Sequence, residues 1–125
     1  MTDDERKELA RRAVACPKWR LMPGMLTDEG RRVMQVWPDN LGIKWSHLLD
    51  NRVVRDADAL PDLTDAATVG CLLALVRAAW GDPYLCAVGD PDTRWRVDAV
   101  TAQVQDLHGY TSEAEALVAS LEAAP

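Results

Sequence analysis

The stretch TDAATVGCLLALVRAAWGDP, residues 64–83, constrains this chain more than any other. Thr64 or Asp65 offers a side-chain oxygen to cap a helix, because the first N–H groups of a helix lack partners within it. Val69, Leu72, Leu73, Val76 and Trp80 recur at i, i+3, i+4, i+7 and i+11, one apolar stripe at helical period. Gly81 fits the left-handed position that closes a helix, and Pro83 cannot continue one. Cys71, Ala74, Leu75 and Ala78 lie off the stripe and are also apolar. Arg77 is the one charge between residues 66 and 81. The pattern predicts a helix buried on more than one side, so other elements must cover it.

Those elements read as two more helices and two hairpins. Thr2 and Glu5 make a capping box, and Leu9, Ala13 and Cys16 recur on one side with Ala10 and Val14 beside them. Pro17 ends that helix by pushing the preceding residue out of helical geometry. Leu26 to Gly30 reads as a turn. RRVMQVW (31–37) and IKWSHLL (43–49) alternate around PDNLG, as an antiparallel hairpin does. In the first strand Val33 and Trp37 share one face, Met34 and Val36 the other. Residues 50–63 read as a connection in which VVR could add a short strand. YLCAV (84–88) and RWRVDAV (94–100) flank the turn GDPDT, with Tyr84, Cys86 and Val88 expected to face Trp95, Val97 and Ala99. TAQVQD extends that strand or begins another. Ser112 with Glu115 caps a last helix starting at Thr111 or Ser112, whose stripe is Ala114, Leu117, Val118 and Leu121. The order α-ββ-α-ββ-α predicts an α+β two-layer sandwich, an antiparallel sheet from two hairpins covered by about three helices. A length of 125 residues fits a single domain.

Composition narrows the class. No run approaches the ~18 apolar residues of a membrane span. MTDDERKELARR is charged where a secretory signal is apolar, so a cytoplasmic location in a bacterial host cell is expected. Cys16, Cys71 and Cys86 form no C-x-x-C pair and read as reduced, mostly buried thiols rather than zinc ligands. Charge is uneven. Residues 1–55 carry 11 Lys/Arg against 8 Asp/Glu, and residues 56–125 carry 3 against 12. An acidic surface repels phosphate backbones, which argues against direct nucleic-acid binding, and attracts basic protein surfaces.

LPDLTDAATVGCLLALVRAAWGDP, a strand around WRV, TSEAEALVASLEAAP and CPKWRLMPGM together resemble small uncharacterised phage and prophage proteins of the phage ABA sandwich type. The resemblance covers residues 60–125 best and 10–26 next. The middle hairpin is not matched. It implies an antiparallel sheet covered by helices and a phage-associated origin. No catalytic residues come with it.

Tests for chemistry leave little. His47 and His108 lack a sequence-defined partner, and Ser46 beside His47 on a strand points to the opposite face. GDPD (89–92) places two carboxylates in what a turn explains without a metal, and DADALPD (56–62) lacks the glycine and distal glutamate of a calcium loop. No phosphate-binding glycine pattern occurs. The expectation is a protein that is not an enzyme and uses no cofactor or metal. Two functional readings remain. In the first, a small acidic counter-defence protein, anti-CRISPR-like, occupies a host protein with a basic surface, a defence nuclease or CRISPR complex. Its contacts would be Asp56, Asp58, Asp62, Asp90, Asp92, Asp98 and Asp106. In the second, a nucleotide or other small anion is sequestered by Lys18, Trp19 and Arg20 with Arg31 and Arg32, at the interface of a homo-oligomer. The same CPKWRLMPGM stretch has a structural alternative, a corner that plugs one edge of the core.

Overall fold

A computed structural model describes residues 2–37, 42–46, 53–54, 60–90, 93–99 and 108–125. In chain order its elements are α1 (Asp3–Ala15), β1 (Arg32–Trp37), β2 (Gly42–Ser46), β3 (Val53–Val54), α2 (Ala66–Trp80), β4 (Cys86–Asp90), β5 (Thr93–Asp98), β6 (His108–Tyr110) and α3 (Glu113–Ala123). This is an α+β protein with three helices and antiparallel strands. The two hairpins pair as β1–β2 and β4–β5, but among the described residues they do not share one sheet. Each gains a third strand, giving sheets ordered β1-β2-β3 and β4-β5-β6. VVR supplies β3. TAQVQD lies outside the described residues, as does His47.

Local chemistry sets the helix ends. The Glu5 N–H donates to Thr2 Oγ1, the Thr68 N–H to Asp65 Oδ2 and the Glu115 N–H to Ser112 Oγ. Gly81 closes α2 in the left-handed region at φ +65°, and its N–H returns to Ala78 O. Past that cap the chain turns sharply. Arg77 Nε donates to Leu85 O at 2.7 Å, and the buried Asp82 carboxylate accepts the Tyr84 N–H at 2.9 Å.

The core is organised around α3. Ala114, Ala116, Leu117, Val118, Ser120 and Leu121 are all buried, so its stripe widens into most of the helix surface. The helix packs against α1 and α2 and against all three strands of the β4–β6 sheet. Burying a side chain such as Leu117 contributes about 2–3 kcal/mol. Two polar links tie the helices together. Trp80 Nε1 donates to Ser120 O at 2.8 Å, and Arg12 pairs with Glu122 to tie α1 to the end of α3. That pairing raises the affinity of the Arg12 guanidinium for its proton above the ordinary value.

Three expectations of side-chain phase need correction. Around β4 the inward residues are Leu85, just before the strand, and Ala87 within it, not Tyr84, Cys86 and Val88. Ala87 stands opposite Val97, while Cys86 and Val88 stand opposite Asp98 and Arg96, and Tyr84 is 68% exposed. Both parities of YLCAV are apolar, so alternation alone does not choose between them, and Leu85 fills the larger core space. In β1, the register shifts between Val33 and Gln35, so Met34 is the extra residue of a bulge and is exposed. The bulge resets the phase. Val33 and Val36 then both lie toward the core instead of on opposite faces. In α2, Ala74 and Ala78 are exposed together with Ala67 and Gly70, so the helix keeps one open face of small residues. Its buried line runs through Thr68, Leu72, Leu75 and Val76, with Val69 and Leu73 at the margin.

Candidate functional site

The CPKWRLMPGM stretch is a corner. Cys16 and Met25 are buried, and Trp19, Leu21 and Met22 pack against the core. Gly24 turns the chain at φ +100°, a conformation side chains resist. Its N–H donates to Val33 O, and the Val33 N–H donates to Met25 O, both at 2.8 Å, so the corner is laced to β1.

A side-chain relay fastens it to α2. The Leu26 N–H donates to Thr68 Oγ1 at 2.8 Å, and Thr68 Oγ1 donates to Asp65 Oδ2 at 2.8 Å. Arg32 completes the relay with a two-pronged contact to Asp65 at 3.1 and 3.2 Å and a bond to Gly24 O at 2.7 Å. Hydrogen bonds from Arg32 first, then from Thr68, hold the Asp65 carboxyl down at about 2. Arg31 pairs with Glu29 at 2.6 Å. The five residues of the ligand reading therefore divide. Arg31 and Arg32 are engaged within the protein, Lys18 and Arg20 are exposed, and Trp19 is half-buried with its Nε1–H buried and unpartnered among the described residues.

The acidic list divides too. Asp56, Asp58, Asp92 and Asp106 lie outside the described residues. Asp90 ends β4. Asp98 is exposed on the outer face of β5 and pairs with Arg96 at 3.1 Å. Asp62 stands elsewhere, in the turn before α2, where its carboxylate accepts the N–H and hydroxyl of Thr64. Three of the seven, Asp62, Asp90 and Asp98, lie within the described residues.

Asp62 borders a concavity where the N-terminal parts of all three helices meet. Its larger part, about 520 Å³, is floored by Leu9, Leu63, Val69, Leu73 and Ala114 and edged by Arg6, Ser112 and Glu113. An adjoining hollow of about 270 Å³ shares Arg6, Leu63 and Thr64 and is edged by Asp3, Lys7, Asp28 and Asp62. Its wall is fixed by backbone pairing. Pro61 bridges Thr27, the Asp28 N–H donates to Leu60 O, and the Asp62 N–H donates to Leu26 O at 2.8 Å. Gly70 lines the larger part, and a Cβ there would meet no atom within 4 Å.

Four carboxylates (Asp3, Asp28, Asp62, Glu113) and two cations (Arg6, Lys7) edge the joined groove, and Arg6 already contacts Asp3 at 3.6 Å. Each nearby helix N-terminus is capped by its own Thr, Asp or Ser oxygen. The arrangement disfavours an anion and favours a partly apolar cation-bearing group. Sequence reasoning missed this site because Val69 and Leu73 read as core. The available signal was Gly70 between them, a residue that weakens a helix and fills no space. Among the described residues, no group of three or more His, Cys, Asp or Glu could hold a metal ion, and no helix is long and apolar enough to cross a membrane. Comparison with family models, with curated proteins and with solved structures finds no match for the chain.

Proposed function

We propose that this is a partner-binding protein of phage type, which occupies a basic surface of a host nucleic-acid-binding protein, such as a defence nuclease or CRISPR complex. The observation that carries the reading is the coincidence of an open apolar groove with an edge of Asp3, Asp28, Asp62 and Glu113. Concave apolar surface supplies affinity, and the excess of carboxylates over Arg6 and Lys7 around it steers a cationic partner and disfavours nucleic acid itself. Overall acidity, net −6, acts in the same direction. The acidic determinants come from both halves of the chain, brought together by folding.

The test is affinity capture from a bacterial lysate at low and at ~0.5 M salt, where the screening length falls to about 4 Å and long-range steering is lost. It is run with the natural protein and with an Asp62→Lys, Glu113→Lys variant. A nucleic-acid-binding protein captured at low salt and lost with either change is the expected result. Capture indifferent to both salt and charge reversal overturns the proposal.

A second reading is favoured by the unpartnered Trp19 Nε1–H between the exposed Lys18 and Arg20, which together could hold a small nucleotide. Cyclic nucleotides would then raise the melting temperature of the natural protein but not of Trp19→Leu. An equal shift in both removes Trp19 from the site.

A further inference from the structure

We infer that the groove at the N-terminal ends of the helices receives a short Lys/Arg-rich segment of the partner, seating more than one of its aliphatic side chains. The inference rests on the partner-binding reading above and names where, and by what chemistry, the partner is held.

The floor sets the first requirement. Leu9 and Leu63 are buried beneath it and Val69 and Leu73 stay half-exposed, so an incoming aliphatic group completes packing that this chain leaves open. A volume of about 520 Å³ exceeds what one leucine fills. The second requirement comes from the adjoining hollow. A lysine or arginine stem can run over Leu63 and Pro61 while its charged end reaches Asp28 and Asp62. Glu113 offers the same service on the far edge. With Arg6 offset by Asp3, Asp28, Asp62 and Glu113 outnumber the one remaining cation, Lys7, along the edge. An acyl chain ending in a carboxylate would meet the same floor but the wrong charge. A second copy of this chain would bring an acidic surface to an acidic edge.

Gly70 provides the means of testing. It lines the groove in mid-helix with open space at its Cβ, so Gly70→Leu occupies the floor without displacing any atom within 4 Å of that position. Three fluorescent twelve-residue peptides serve as probes: one rich in lysine with two leucines four residues apart, one with those leucines replaced by serine, and one with the lysines replaced by glutamate. Fluorescence anisotropy at low salt is expected to show at least tenfold tighter binding of the first peptide than of either control. Gly70→Leu should cost at least tenfold, and Asp28→Asn with Asp62→Asn about fivefold. Amide shifts in ¹H–¹⁵N spectra should centre on Arg6, Gly70, Leu73 and Glu113, a readout that holds even if a variant folds poorly.

Equal binding of the leucine and serine peptides overturns the inference, as do shifts that centre elsewhere. If lysate capture stays sensitive to salt and charge reversal while the peptides fail, the groove is wrong and the acidic partner reading stands. If capture is itself insensitive, that reading fails first.

Discussion

Replacing Asp65 tests the junction that fixes the corner, β1 and α2 together. Its carboxylate caps the Thr68 N–H at 3.0 Å, accepts the Thr68 hydroxyl at 2.8 Å and pairs with Arg32. Asp65→Ala removes all three. Loss of an N-cap costs about 1 kcal/mol. The Thr68 hydroxyl is fully buried, and losing its acceptor costs about 1 kcal/mol more. Arg32 is one-third exposed, so solvent screens its pair and the cap and acceptor losses dominate. The expected loss is about 2 kcal/mol for Asp65→Ala and clearly less for Asp65→Asn, which keeps both acceptor roles. Acidity gives the sign. The folded carboxyl, at about 2, sits below its ordinary value of 3.8. Its charge therefore stabilises the fold at pH values above about 4, and that contribution is lost as pH falls toward 2. Urea unfolding of both variants and the natural protein between pH 7 and pH 3 measures this directly. Equal losses for Ala and Asn, or a gap between Asn and the natural protein that stays constant with pH, would refute the relay.

Three further predictions concern packing and helix propensity. Gly89 lies under Trp95, where a Cβ would stand 2.8 Å from the indole and 3.0 Å from backbone, so Gly89→Ala should cost about 1–3 kcal/mol. Gly70→Ala, with open space, should instead gain up to ~1 kcal/mol from helix propensity, and opposite shifts in thermal midpoint check the pair. Leu117→Ala, at the fully buried centre of α3, should cost about 3–4 kcal/mol in chemical denaturation; a loss under ~1 kcal/mol would mean that α3 is not the organising helix.

What could be read in advance was local. The caps at Thr2, Asp65 and Ser112, the stop at Gly81 and Pro83, and the positions of both hairpins follow from short-range hydrogen bonding and backbone sterics. Where two residues competed for a cap, Thr64 with Asp65 and Thr111 with Ser112, the structure selects the second of each pair. The phase of β4 was not legible, because Tyr84, Cys86 and Val88 alternate as well as Leu85 and Ala87 do. The bulge at Met34 leaves no composition signal. The candidate site was legible only at Asp62; Arg6, Leu9, Gly70, Leu73 and Glu113 are separated by up to about a hundred residues and share no motif.

By itself, the sequence determined the helices, their ends, the α+β class and the acidic balance, because each depends on residues a few positions apart or on simple counts. Tertiary structure decided which faces of β1, β4 and β5 are buried, the pairing of the hairpins in separate sheets among the described residues, the engagement of Arg32 by Asp65 and the meeting of three helix ends in one groove. Those outcomes depend on competition for core volume and on contacts between distant segments. An amphipathic pattern records that a face prefers burial; the folded chain settles which apolar face wins, and in α2 it leaves Val69 and Leu73 half open beside Gly70.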